Sequence, residues 1–226
     1  MREAPSVPST RTSADASLLT TKRPVLAVFD FDGTLTTADS LGAFLHRQLG
    51  TAGWAMALLR QSPTLLGYVL KRVPNHQAKA SLLQRTLQGA SQASLDLAAE
   101  RLVQEWLPRH LDAWALDELQ GHQQAGHTCV LLSASLDVYL SAVAKALEIP
   151  HLICTGLDIR AGQCTGQMST PNCHGDEKWR RLQAWFAQQG RPRESWELHA
   201  YGDTRGDLAV LREADQAWLR GRPWRP

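Results

Sequence analysis

Asp30 and Asp32, two residues apart in DFDGTLT, are a pair of carboxylates that can divide the labour of breaking a phosphate ester. One attacks phosphorus to form an acyl phosphate, and the other protonates the leaving oxygen and later activates water. Gly33 allows a tight turn whose amides approach a phosphoryl oxygen. A second acidic pair, Asp203 and Asp207 in YGDTRGD, is spaced four apart where a loop opens into a helix. Joined to Asp30 and a backbone carbonyl near Asp32, these hard oxygen ligands suit an octahedral magnesium ion. Such an ion has an electrostatic purpose, because a carboxylate does not readily approach a phosphate dianion without compensating positive charge. In LLSAS, Ser133 places a hydroxyl where phosphoryl oxygens can be held, and Ser135 reads as the N-cap of the next helix. In GDEKWRRL, Lys178 opens an amphipathic helix and is the cation available to neutralise nucleophile and phosphate.

Each piece alone has a plainer reading. DFDGT serves equally as an acidic turn capped by Thr34, Asp203 or Asp207 as a helix cap, Ser133 as a turn residue and Lys178 as a surface lysine. What raises them is where they stand. VLAVFD before Phe31 is a continuous apolar run, the pattern of a strand buried on both faces of a parallel sheet. TCVLLS, HLIC and LHAYGD repeat that pattern with helix-compatible sequence between them, which implies an open α/β sheet with right-handed crossovers. Ligands of such sheets bind beyond the carboxyl ends of the strands, where three of these runs end in Asp or Ser.

The interval from about Ser40 to Gly126 is almost free of strand signals and too long for one crossover, so it reads as a helical cap inserted after the first strand, with breaks near Gly50, Pro74, Gly89 and Pro108. The expected organisation is a tail over 1–23, a core over 24–40 and 115–226, and a cap over 41–114. The RAG and TGQ turns between Arg160 and Gln167 read as a hairpin flanking the sheet, and QAWLRGRPWRP as a last edge strand.

With 24 basic against 22 acidic residues in 226, the charge balance predicts no nucleic-acid partner. The Ser-, Thr- and Pro-rich start has no secretory apolar core and reads as a disordered tail. The apolar stretch from Gly53 to Leu70 is interrupted by Arg60, Gln61 and Pro63, so no spanning helix is expected. Cys129, Cys154, Cys164 and Cys173 form no CxxC pair and read as reduced thiols of a cytoplasmic protein. The eight histidines have no metal-ligand spacing, Cys173-His174 reads as a structural turn, and Trp106 and Trp114 as packing residues.

In their order, DFDGTLT, LLSAS, the GDEK lysine and YGDTRGD resemble the four motifs of the haloacid dehalogenase superfamily, over nearly all of the chain after the tail. DFDGTLTTADSLGAFL and TGQMSTPNCHGDEK are similar to its subfamily IB hydrolases, the group that includes phosphoserine phosphatases. The resemblance implies a Rossmann-like core with a helical cap. It further implies Asp30 as nucleophile, Asp32 as acid and base, Ser133 and Lys178 on phosphate, and Asp203 with Asp207 on magnesium. A carboxylate at Asp32 points to a phosphatase or phosphotransferase rather than a dehalogenase. Phosphoserine phosphatases carry Glu where this chain has Asp39, which marks Asp39 as a specificity residue and counts against phosphoserine. The segment from Leu41 to Arg72 also resembles the apolar cap of bacterial phosphatidylglycerophosphate phosphatases, and its apolar residues with Lys71 and Arg72 suit contact with an anionic lipid surface. Packing of the cap on the core is the plainer use of those side chains. A small-molecule phosphomonoester is therefore the expected substrate, with a lipid phosphate, a phosphotransferase and a non-catalytic protein of the same fold as the alternatives.

Overall fold

The computed structural model describes residues 23–69 and 75–225, with side chains left aside over 61–69 and 75–76. Residues 1–22 of the expected tail, Lys71, Arg72 and the break expected at Pro74 lie outside the described residues, whereas Arg23 belongs to the core, donating to the Trp196 carbonyl and to Asp215 Oδ1, each at 2.9 Å. Six strands form one sheet in the order β3-β2-β1-β6-β7-β8. They are β1 (Val25–Phe29), β2 (Thr128–Leu136), β3 (His151–Thr155), β6 (Glu197–Gly202), β7 (Gln216–Leu219) and β8 (Arg222–Trp224). All neighbours are parallel except β7 and β8, so QAWLRGRPW supplies an inner strand, β7, and one antiparallel edge strand, β8.

Every residue of β1 is buried, as a strand covered on both faces requires. Its side chains alternate between two apolar layers. Ala27 and Phe29 face a cluster with Leu95, Leu119, Tyr139 and Leu140, whereas Leu26 and Val28 face Leu182, Trp185 and Phe186. The second layer comes from α7 (Asp176–Gln188), whose buried Lys178, Leu182, Trp185 and Phe186 recur at helical spacing. Lys178 is therefore on the inner face of its helix.

The interval after β1 is helical: α1 (Ser40–Val69), α2 (Asn75–Leu87), α3 (Gln92–Arg101), α4 (Leu107–His110) and α5 (Ala113–Gln124). The chain kinks at Gly50 (φ 69°) and turns at Gly89 (φ 80°) between α2 and α3. The break expected near Pro108 falls just after it, where α4 ends at His110 and Leu111 is extended. A π-helical turn over Leu102–Trp106 joins α3 to α4, Pro108 falls in the first turn of α4, and the Leu107 N–H donates to the Leu102 carbonyl. A proline costs no hydrogen bond in a first turn, so the helix continues to His110.

The expected hairpin is a separate two-stranded sheet, β4 (Leu157–Arg160) and β5 (Gln163–Met168). Its turn residues Ala161 and Gly162 both have positive φ, 49° and 75°, as a tight two-residue hairpin needs. The hairpin supports α2. A Cβ on Gly166 would sit 2.7 Å from the Gln84 Cα, so only glycine lets strand and helix touch there. Gly89 N–H donates to the Cys164 carbonyl at 2.8 Å, and Cys164 N–H to the Ala90 carbonyl at 2.8 Å.

Candidate active site

Asp30 follows the last residue of β1, and its N–H donates to the Tyr201 carbonyl of β6 at 3.0 Å, which anchors the residue between two strand ends. The turn behind it is tied by Thr36, whose hydroxyl lies 3.2 Å from the Phe31 carbonyl and 2.9 Å from that of Ala38. Thr34 does not cap this turn, since its buried Oγ1 has no hydrogen-bond partner among the described residues. Gly33 (φ 80°) is needed for space as well as for the turn, because a Cβ there would overlap the Asp203 carboxylate.

Lys178 joins the two halves of the acidic constellation. Its ammonium donates to Asp30 Oδ1 at 2.7 Å and to Asp207 Oδ1 at 2.5 Å, and all three side chains are at most a tenth exposed. Burial works against the charged lysine, but the two carboxylates outweigh it and raise its pKa. Asp207 is also buried, yet Lys178 and donors from Thr204 hold its carboxyl below the usual range. Burial pushes Asp30 upward, Lys178 pulls it down, and the Asp207 charge pushes it up again, with a net rise. Asp203 is raised by burial and by Asp207. Oxygens of Asp30, Asp203 and Asp207 lie within 4.8 Å of one another, and Asp203 Oδ1 is buried without a hydrogen-bond partner among the described residues. An all-oxygen donor set with an orphaned carboxylate oxygen fits a small hard cation.

Asp32 turns away from this cluster. Its Oδ1 accepts the Ser40 N–H at 2.7 Å and its Oδ2 accepts the Ser135 hydroxyl. Ser135 is thus not the N-cap of α6 (Asp137–Ala146), whose cap position is Leu136 with no side-chain bond. A hydroxyl bonded to a carboxylate gains more than one bonded to a neutral backbone amide, so the distant acid wins over the local cap. Burial and the Asp39 charge push Asp32 up to about 6, against the two donors. Ser133, fully buried, accepts the Ser135 N–H at 3.1 Å.

A cavity of about 410 Å³ opens over these groups, lined by Asp30, Asp32, Ser133 and Asp203 from the strand ends and by Lys178 from α7. Asp39, exposed, lies at its rim and accepts the Gly42 N–H at 3.2 Å. Of the candidate catalytic, phosphate, metal and specificity residues, Asp30, Asp32, Asp39, Ser133, Lys178 and Asp203 line this space, whereas Asp207 is buried behind Lys178 and Gly33 presses on Asp203. His174 lines it too, packed so closely on Gly206 that a Cβ there would lie 2.6 Å from Nε2, so its loop is more than a turn. Burial and Lys178 lower the His174 pKa. Lys79 and Asn172 were not foreseen. Lys79 is an isolated basic residue in QAKASLLQ with no motif around it, and only the docking of α2 brings it here.

A family profile described as haloacid dehalogenase-like hydrolase matches residues 27–212. Protein CicA of Caulobacter vibrioides is 34% identical over 204 residues, which cover 88% of this chain and 89% of that protein. A protein of unknown function from Bordetella pertussis Tohama I has a solved structure with TM-score 0.79 and 27% identity, covering 87% of this chain and 90% of that one. A phosphoserine phosphatase solved as a phospho-aspartyl intermediate analogue superposes with TM-score 0.62 over 88% of this chain and 87% of its own, at 15% identity, a likeness of fold.

Proposed function

This chain belongs to the haloacid dehalogenase-like hydrolases, and we propose that within them it is a magnesium-dependent phosphatase acting through an aspartyl phosphate on Asp30. The observation that carries this is the division of the two motif aspartates into different surroundings. Asp30 is held by Lys178 beside two further carboxylates, while Asp32 is held apart by Ser40 and Ser135. Two carboxyls with separated environments are what a nucleophile and an acid–base pair require.

In this reading the Asp30 carboxylate attacks phosphorus, forming an oxygen–phosphorus bond as the ester bond breaks. The protonated Asp32 gives its proton to the departing alkoxide. Asp32, now a carboxylate, takes a proton from water, which attacks the acyl phosphate and restores Asp30. Ser133 and Lys178 hold phosphoryl oxygens together with the amides of the Gly33 turn, and the missing Cβ of Gly33 leaves room for Asp203. Magnesium, held by Asp30, Asp203, Asp207 and a carbonyl near Asp32, would supply the positive charge that lets two anions meet.

A cavity of about 410 Å³ suits a small-molecule phosphomonoester, with the cap of residues 41–114 over a core of 24–40 and 115–226. Four free cysteines are consistent with a cytoplasmic setting. One feature favours a lipid phosphate as a second reading: Met56, Leu58 and Leu59 of α1 are exposed, Leu59 by 68%. Among the described residues no helix is long and apolar enough to cross a membrane.

The test is turnover of a phosphomonoester panel that includes phosphatidylglycerophosphate, with magnesium, by the native protein and two variants. Asp30→Asn should lose turnover on every member, and Asp32→Asn should accumulate acid-stable phosphoprotein from a good leaving group. Full turnover by Asp30→Asn would end the covalent mechanism.

A further inference from the structure

Lys79 is a mostly buried cation on α2 that lines the reaction cavity yet, among the described residues, forms no ion pair with a carboxylate. Its ammonium donates to the Ala134 carbonyl at 2.5 Å and to Asn172 Oδ1 at 2.8 Å. Both acceptors are neutral. They are also fixed in advance, since the buried Thr155 Oγ1 lies 2.7 Å from the Ala134 carbonyl and 3.2 Å from Asn172 Oδ1, and accepts the Cys173 N–H at 3.0 Å. An ammonium has three donors, so two protein acceptors leave one for a ligand.

A neutral side chain such as Gln would fasten α2 to these acceptors without the cost of burying a charge. That cost is visible, for burial lowers Lys79 to about 8 even though Asp32 and Asp39 oppose it from a distance. A buried charge without a close counter-ion is a receptor for one. Lys178 already serves the nucleophile, and Asp39 at the exposed rim is screened by water. Leu41, Ala78 and Leu82 form the wall beside Lys79 and leave room for a short carbon skeleton.

We propose that Lys79 is a substrate-selecting residue that receives a second anionic group, a carboxylate or a second phosphate, on the organic part of the phosphomonoester. Lys79 has this role only if the chain is the phosphatase proposed above, so the test reads binding separately from turnover. An ammonium is a compact point charge and accepts either anion, which two ligands distinguish. Titration calorimetry with magnesium would compare phosphoglycolate, ethylene glycol bisphosphate and ethyl phosphate on Asp30→Asn, in which hydrolysis is blocked, and on Asp30→Asn/Lys79→Gln. One or both of the two-anion ligands should bind roughly 10- to 100-fold tighter than ethyl phosphate, the range of a charged hydrogen bond. Lys79→Gln should erase that preference and leave the affinity for ethyl phosphate within about threefold, a small change on this scale.

Equal affinity for all three ligands on Asp30→Asn would overturn the proposal, as would binding of none. A uniform weakening by Lys79→Gln would also overturn it, since Lys79 would then hold the reacting phosphoryl group. The preference on Asp30→Asn is decided even if the double variant fails to fold. Failure of the native protein to turn over any phosphomonoester would refute the phosphatase and leave these binding results intact.

Discussion

Acidification should destabilise this protein through His122, an imidazole beneath the strand that carries Asp30. His122 is 7% exposed and has both nitrogens engaged, Nε2 at 2.9 Å from the Tyr201 hydroxyl and Nδ1 at 2.7 Å from His127 Nδ1. The Tyr201 hydroxyl donates to Glu118 Oε2 at 3.0 Å, so its oxygen accepts from His122 Nε2–H. His122 Nδ1 must then accept from His127 Nδ1–H, and a proton added there would set two N–H groups against each other. Burial, with the neighbouring His199 and His127 charges, lowers His122 from 6.5 to about 4. Between those values the unfolded chain binds the extra proton and the folded chain does not, so stability falls as pH drops through that window. Integrating the two titrations with the pKa of 6.5 unfolded and about 4 folded gives a loss of about 2 kcal/mol from pH 7 to pH 5. Urea unfolding followed by tryptophan fluorescence at both pH values, on the native protein and His122→Gln, measures it. The variant starts less stable, but its loss on acidification should be smaller by about 2 kcal/mol. Carboxylates that also titrate, Asp32 among them, cancel in that comparison. Equal losses in the two proteins would refute the tautomer and the network assigned here.

Removing the Ser135 hydroxyl takes a donor from the Asp32 carboxylate and should raise its pKa from about 6 by about one unit, the lower end of a charged hydrogen bond. Dephosphorylation needs that carboxylate, so in Ser135→Ala the acidic limb of its pH profile should move upward; an unmoved limb would separate Ser135 from the acid–base role. A chelator should abolish turnover, magnesium should restore it, and Asp203→Ala should raise the magnesium concentration required by at least about tenfold, as loss of one charged ligand implies. Turnover indifferent to chelation would remove the metal from the mechanism.

The amino-acid sequence by itself determined where the candidate carboxylates and lysine stand along the chain, and that the carboxylates follow the ends of strands. β1 is an unbroken apolar run, Asp30 is the first residue beyond it, and the YGD run of β6 must lie at the same sheet edge when both strands are parallel. Such information is local, because burial on two faces and the end of a strand are written in consecutive residues. Local rules also had limits. The break near Pro108 comes only after His110, behind a π-helical turn, and Ser135 read as a cap but bonds Asp32 across 103 positions. Those outcomes depend on what the neighbouring elements offer a side chain. Lys79 shows this most fully, since only the packing of α2 against the β4–β5 hairpin brings its ammonium to Ala134 and Asn172, 55 and 93 residues away. The acidities of Asp32, Lys79 and His122 were likewise decided by tertiary structure, because desolvation and distant charges set them and neither is a property of adjacent residues.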